Sequence, residues 1–263
     1  MAATYLDRII VDHREAASTD RRSAESLRDQ AVAMPPARDF ARALAEAEGL
    51  GVIAEIKRAS PSKGALALDL DPAELAGDYE AGGAVCLSVL TDADWFSGSP
   101  EDLRQARAAV DIPVLRKDFT VSEADVCDTR IMGADAVLLI AAALDDAELA
   151  AFASLAAEVG LDALVEIHNE AELDRALGVG ATLVGVNQRN LVTFAVDTDR
   201  AVKLAATMPR GIVRVAESGV RGPADAAALA EAGYDAVLVG ESLVTSGDPQ
   251  GAVAALRVAR PRG

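Results

Sequence analysis

Eight short apolar strands, each followed by an Ala-rich helical segment, predict an α/β fold: a (β/α)8 barrel with an N-terminal helical extension. Three observations carry the prediction. The strands are apolar along their whole length, as strands covered on both faces are, so the sheet is parallel. A helical stretch separates each strand from the next, so the connections are crossovers. Eight such units in about 210 residues fill one barrel. The first strand ends in Lys57-Arg58-Ala59-Ser60-Pro61 rather than in the glycine-rich turn of an open dinucleotide-binding sheet.

In chain order, Thr4 to Met34 is expected to form one helix with Arg-, Asp- and Glu-rich faces, ended by Pro35-Pro36. A shorter helix is expected from Asp39 to about Glu48, after which Gly49 and Gly51 lead into the barrel. The expected strands are Val52–Lys57, Ala84–Leu90, Val114–Lys117, Ala136–Ile140, Ala163–Ile167, Leu183–Val186, Ile212–Ala216 and Ala236–Val239. Asp71-Pro72, Ser99-Pro100, Ser122, Asp145, Asn169 and Gly222-Pro223 are helix starts. Gly82-Gly83, Gly133, Gly160, Gly180 and Gly233 are helix ends. Gly-Ala-Asp-Ala at Gly133–Ala136 and Gly-Tyr-Asp-Ala at Gly233–Ala236 read as one αβ loop used twice. No spacer rich in Pro, Gly or Ser divides the chain. Residues 1–263 are therefore expected to be one domain, with 1–50 as the extension and 51–263 as the barrel.

Composition narrows the function classes. The net charge is -17, and only 3% of the 263 residues are aromatic. Phosphate backbones and anionic headgroups repel such a surface, and no basic run with interleaved aromatics offsets it. The expected partner is a small molecule, with no nucleic acid and no membrane. No apolar stretch approaches the roughly 20 residues of a membrane span. Met1 to Asp12 carries acidic residues and no small-residue cleavage site, so no signal peptide is expected. Cys86 and Cys127 stand far apart without ligand-like neighbours and read as small buried hydrophobes of a cytoplasmic protein. The acidic surface speaks for solubility alone, and a monomer is compatible with it.

Barrels of this kind place their chemistry at the C-terminal ends of the strands. Strand one carries Glu55 and Lys57, two residues apart and therefore on one face. A structural ion pair is the plain reading of those two. Strand three ends in Arg116-Lys117-Asp118-Phe119, strand five in Glu166-Ile167-His168, strand six in Asn187-Gln188-Arg189-Asn190. Strand seven ends in Glu217-Ser218-Gly219 and strand eight in Gly240-Glu241-Ser242. Strand four, Leu138-Leu139-Ile140-Ala141, ends without a polar residue. Lys57, Lys117 and Arg189 at strand ends of so acidic a chain imply an anionic ligand. Glycines after strands seven and eight, where such barrels often hold phosphate, point to a phosphate group. Trp95, Phe96 and Phe119 either wall an apolar pocket for an aromatic ring or cap the barrel. His168 reads as a supporting or structural histidine. With His13 as its one companion, neither a histidine metal cluster nor a Ser-His-Asp constellation is expected.

Taken together, Glu55 to Gly64, Leu115 to Phe119, Leu164 to His168, Gly185 to Leu191 and Ala216 to Gly219 resemble the indole-3-glycerol phosphate synthase family over nearly the whole chain. The resemblance implies ring closure, decarboxylation and dehydration of 1-(2-carboxyphenylamino)-1-deoxyribulose 5-phosphate, a step of tryptophan biosynthesis, without metal or organic cofactor. It implies Lys117 as the acid at the ketone oxygen and Glu166 as a second acid or base. Glu55 and Lys57 resemble the pair that assists closure and dehydration, and Asn187 the amide that meets the sugar hydroxyls. Lys57 and Arg189 would meet the anionic groups. Phosphate would rest on the backbone of Ser218, Gly219, Gly240 and Glu241, helped by Ser60. Phe96, Phe119, Leu191 and Glu217 complete the expected substrate-binding set. Lysine is a weak acid at its ordinary pKa, so burial, or the nearby Lys57 and Arg116, is expected to depress that of Lys117. Gln188 and Glu241 depart from the common family pattern. Gln188 is expected to point away from the pocket and the Glu241 carboxylate to turn from the phosphate. A phosphoribosylanthranilate isomerase would need a Cys/Asp pair at strands one and six, which carry Glu55/Lys57 and Asn187/Arg189 instead. A non-catalytic phosphate-binding barrel would have no need of Lys117 or Glu166.

Overall fold

The computed structural model describes residues 4–189 and 196–260. Its eight barrel strands are β1 (Gly51–Ile56), β2 (Cys86–Leu90), β3 (Val114–Lys117), β4 (Ala136–Ile140), β5 (Asp162–Ile167), β6 (Leu183–Asn187), β7 (Val213–Glu217) and β8 (Ala236–Val239). Each pairs in parallel with its neighbours in the chain, and β1 closes the ring against β8, with Gly51 opposite Ala236. This is a TIM barrel, and the expected strand bounds hold to within two residues. Helices α4 (Pro72–Ala81), α6 (Pro100–Ala109), α7 (Glu123–Ile131), α8 (Asp146–Glu158), α9 (Glu170–Gly178), α10 (Thr198–Ala205), α11 (Pro223–Glu231) and α13 (Pro249–Leu256) form the outer layer. Short helices α5 (Ala93–Phe96) and α12 (Glu241–Val244) follow β2 and β8. The expected cap residues Asp71, Ser99, Ser122, Asp145 and Asn169 each accept a backbone N–H of the first helical turn.

Side-chain parity sorts the core into two shells. Ile53, Cys86, Leu115, Leu138, Leu164, Leu183, Val215 and Leu238 fill the barrel interior. Their neighbours one residue away, such as Val52, Leu87, Val114, Leu139, Val165, Val184, Ala216 and Val237, pack outward against the helices.

The extension differs from expectation. Thr4 to Met34 is two helices, α1 (Tyr5–Thr19) and α2 (Ala24–Val32). Ser18 and Thr19 turn their hydroxyls back onto the carbonyls of Glu15 and Ala16. Asp20 is extended (φ -63°, ψ 127°) and accepts the backbone N–H and guanidinium of Arg22. Ser23 then caps α2. Local side-chain bonds here outcompete the helical ladder. The break lets α2 lie on α7, tied by Arg22 to Asp128, while α1 crosses the open end of the barrel. Helix α3 (Phe40–Ala45) is shorter than expected and closes the opposite end, with Phe40 and Leu44 wholly buried in the interior cluster. Burying each contributes roughly 1.5–3 kcal/mol. After α3 the backbone turns at Gly49 (φ +91°), where a Cβ would stand 2.5 Å from the Val258 carbonyl oxygen.

Candidate active site

Stepping two residues along each strand from an interior residue leads into the mouth. Ile53 leads to Glu55 and Lys57, Leu115 to Lys117, and Leu138 to Ile140. Leu164 leads to Glu166, Leu183 through Gly185 to Asn187, Val215 to Glu217, and Leu238 to Gly240. These side chains share one cavity of about 650 Å³. Ser60, Phe96, Phe119, Arg189, Ser218, Gly219 and Glu241 line it as well. Of the residues expected at the site, Leu191 lies outside the described residues. Trp95 turns to pack edge-on against Tyr5 of α1, with ring centroids 5.9 Å apart, whereas Phe96 and Phe119 face each other at 6.1 Å.

Two charged groups organise the floor. Lys57 Nζ lies 2.6 Å from Glu55 Oε1. Lys117 Nζ lies 3.5 Å from Glu166 Oε2 and 3.9 Å from Glu217 Oε2. Asn187 Nδ2 donates to Glu166 Oε1 at 3.1 Å, and its own Oδ1 accepts the Arg189 N–H at 3.0 Å. Two glycines make room. A Cβ at Gly185 would come within 2.1 Å of Glu217 Oε1, and one at Gly240 within 2.4 Å of Glu55 Oε1.

The ionisation of this cluster departs from expectation at Lys117. Burial alone would pull its ammonium down, but the charges of Glu166, Glu217 and Glu55 outweigh burial and hold its pKa above the ordinary value. Arg116 is no neighbour of that ammonium. It sits at the opposite parity and points into the helix layer, bonded to Thr91, Thr129, the Asp125 carbonyl and Asp118. Lys57 is occupied by Glu55. Burial would raise the Glu166 carboxyl, yet Lys117, His168 and Asn187 bring it below its ordinary value. Glu217 goes the other way: burial and then the Glu166 charge push it well up, and the two carboxyls hydrogen-bond. The two carboxyls are thus driven in opposite directions, Glu166 down and Glu217 up. Glu217, expected in the substrate-binding set, is the last residue of β7, faces Asn187 across the ladder and lies beside Lys117.

Ser218 (φ 67°) and Gly219 (φ 79°) bend the backbone after β7, and a non-glycine residue held there costs roughly 1–2 kcal/mol. The Glu241 carboxylate lies 3.3 Å from Lys63 Nζ, and both residues line the cavity. Gln188 is buried away from the cavity and donates to the Ser218 carbonyl at 2.8 Å. Sequence reading missed the roof. Tyr5, Leu6 and Ile9 of α1 line the cavity, as do Lys63 and Arg221. Helix α1 is tied to the barrel by His13 Nε2 to Asp92 Oδ2 at 2.9 Å and by Arg14 to Glu148 at 2.6 Å.

Among known proteins, the family model described as indole-3-glycerol phosphate synthase matches residues 6–256. The indole-3-glycerol phosphate synthase of Mycolicibacterium vanbaalenii is 52% identical over 261 residues, covering 97% of this chain and 94% of that protein. That of Rhodococcus jostii is 55% identical over 231 residues, covering 88% and 86%. Among solved structures, thiamine phosphate pyrophosphorylase from Pyrococcus furiosus superposes with a TM-score of 0.61 at 17% identity. It covers 79% of this chain and 94% of that one, a likeness of fold alone.

Proposed function

The chain belongs to the indole-3-glycerol phosphate synthase family, and we propose that the mouth of its barrel performs that reaction with Lys117 and Glu166 as the principal proton carriers. The enzyme is a carboxy-lyase of tryptophan biosynthesis acting on a phosphorylated small molecule. Its substrate is 1-(2-carboxyphenylamino)-1-deoxyribulose 5-phosphate. The phosphate rests on the backbone of Ser218, Gly219, Gly240 and Glu241 beside Ser60. The aromatic ring lies against Phe96 and Phe119, and Lys57 and Arg189 face the substrate's anionic groups. Asn187 meets the sugar hydroxyls.

Ring closure places one proton on the ketone oxygen as the ring carbon attacks. Lys117 supplies it. Loss of carbon dioxide then restores the aromatic ring. Dehydration takes one proton onto the departing hydroxyl and releases one from carbon, which Glu166 receives. The three steps take up two protons and release one, so solvent returns a proton to Lys117 after closure, and the recharged ammonium protonates the departing hydroxyl as Glu166 receives the carbon proton. Glu55 orients Lys57 and assists closure and dehydration.

The observation that carries this reading is the position of Lys117 between Glu166 and Glu217, at 3.5 and 3.9 Å, on the floor of the same cavity as the Glu55–Lys57 pair. The enzyme acts in the cytoplasm as one domain of residues 1–263, without nucleic-acid or membrane partners. The buried thiols of Cys86 and Cys127 and the net charge of -17 support that placement. The test is a steady-state assay with the carboxyphenylamino-deoxyribulose phosphate in the presence of EDTA, following indole fluorescence. A rising signal is expected. Saturable binding without signal would leave a phosphate-binding barrel with other chemistry.

A further inference from the structure

The Glu166 carboxylate has a neighbour that the reaction scheme does not use. His168 stands two residues further on, one past the end of β5, and its Nε2 lies 3.6 Å from Glu166 Oε1. Its other nitrogen, Nδ1, lies 3.1 Å from Glu172 Oε2, at the start of α9. That same oxygen accepts the His168 backbone N–H at 2.7 Å, and Asn169 Nδ2 donates to Glu172 Oε1 at 2.6 Å. Glu172 is therefore a fixed acceptor, which requires the imidazole to carry its proton on Nδ1. Nε2 is buried and has no hydrogen-bond partner among the described residues. In a neutral ring with Nδ1 protonated, Nε2 would aim a lone pair at a carboxylate. In the imidazolium it carries an N–H instead. Helix capping uses the backbone N–H of this residue, so it does not account for the ring.

We propose that His168 is a positioning residue for this reaction: clamped by Glu172, it carries a positive charge against Glu166 Oε1 and keeps that carboxylate ionised, with Oε2 turned toward Lys117 and the substrate. The proposal rests on the reading of Glu166 as a proton carrier. The groups facing the ring are Glu166 on β5, Glu172 on α9 and Arg200 on α10. Burial and Arg200 disfavour the charge, and the two carboxylates outweigh them, leaving the pKa above its ordinary value. The arrangement divides the labour at Glu166. Asn187 and His168 address Oε1, and Oε2 faces the catalytic lysine.

Two experiments on the full-length protein test this. The chain has two histidines, so imidazole NMR titration of a His13→Asn variant reads His168 alone. Its midpoint is expected above 6.5 and should fall in both Glu172→Gln and Glu166→Gln, whether or not those variants turn over substrate. A ring that is neutral across pH 5–7 overturns the proposal. In His168→Gln, the acid limb of the kcat–pH profile should move up by about one unit, with KM changed less than about twofold. A folded His168→Gln variant that loses turnover with the limb unmoved would show a merely structural histidine, and also overturns it. Should that variant not fold, Glu172→Gln carries the same prediction with a smaller shift. Unimpaired turnover in Glu166→Gln would instead sink the reading of Glu166, while the NMR result on His168 would stand by itself.

Discussion

Replacing Lys117 by methionine keeps an apolar stem on the barrel floor and removes one charge, so it separates chemistry from electrostatics. Lys117 Nζ is 3.5 Å from Glu166 Oε2, and both side chains are largely buried. At an effective dielectric near 20, unit charges about 4 Å apart attract by about 4 kcal/mol, or roughly three pKa units. Glu217, at 3.9 Å and with its own pKa raised, adds less. In the parent, the depressed Glu166 pKa contributes stability above its unfolded value, and that contribution fades as pH falls. In Lys117→Met the same carboxyl is buried without its cation, so its folded pKa rises above the unfolded one. The penalty is then absent at low pH and grows as pH rises. The gap in unfolding free energy between parent and variant should therefore be small near pH 4.5 and widen toward about 4 kcal/mol by pH 7.5. Turnover should fall by roughly 10² or more at every pH, the scale of general acid catalysis. Urea unfolding at the two pH values and the indole-fluorescence assay read both effects. Normal turnover would refute the assigned role. A stability gap that does not change with pH would refute the electrostatic account.

The extension and the strand glycines give two further tests. Burial lowers the His13 pKa, but the Asp92 hydrogen bond and the charges of Asp118, Asp92 and Asp125 raise it overall. Its stabilising contribution is complete below pH 6.5 and lost as pH climbs through the raised folded value. The stability difference between parent and His13→Gln should thus shrink from pH 6 to 8.5, and a difference that grows would count against the α1 clasp. In Gly185→Ala the new methyl meets Glu217 Oε1 at 2.1 Å, so that carboxyl, which lies 3.9 Å from Lys117, must shift. Displacements near 1 Å cost about 10² in rate, so kcat should drop strongly while the melting temperature moves little. An unchanged kcat would show that Glu217 is not held where the reaction needs it.

How far the site could be read from sequence follows from which interactions are local. Strand ends and face parity are local, so parity brings Glu55, Lys57, Lys117, Glu166 and Asn187 to one cavity. The same parity also told Arg116 from Lys117, since adjacent strand residues face opposite layers. Adjacency in sequence nevertheless suggested that they were neighbours in space. Glu217 carries the same signal, since its phase with Val215 turns it inward although its motif continues into the glycine loop. The direction of the Lys117 shift was beyond reach. It depends on three carboxylates from β1, β5 and β7, whose convergence is a property of closure. The helical break at Asp20 had a signal, the run Ser18-Thr19-Asp20 of residues that bond their own backbone. That α1 then roofs the cavity, with Tyr5, Leu6 and Ile9 facing in, had none, because the contact spans the whole barrel.

Burial alone does not mark the carboxylates that do chemistry. Asp135 is 0% exposed and Glu217 2%, at opposite ends of the barrel. Asp135, in the first Gly-X-Asp-Ala loop, accepts the backbone N–H groups of Val114 and Arg38 at 2.9 and 2.8 Å and pairs with Arg107. Asp235, in the second, accepts the Arg214 N–H at 2.9 Å and pairs with Arg260. The repeated loop thus ties one strand start to the next, and its aspartate is saturated by donors. Glu217 has an oxygen, Oε1, with no partner among the described residues, and it faces another carboxyl. Amide substitution should therefore act in opposite senses at the two ends. Asp135→Asn loses charge-assisted bonds and should cost about 1–3 kcal/mol. Glu217→Gln copies the neutral form that burial and the Glu166 charge favour. Because the Glu217 pKa is raised on folding, the parent's stability is complete at low pH and eroded as pH rises through the folded value. Relative to the parent, Glu217→Gln should gain stability between pH 5 and pH 8 in urea unfolding. A loss that deepens over that range would mean that folding does not raise the Glu217 pKa, and would refute this account of the pair.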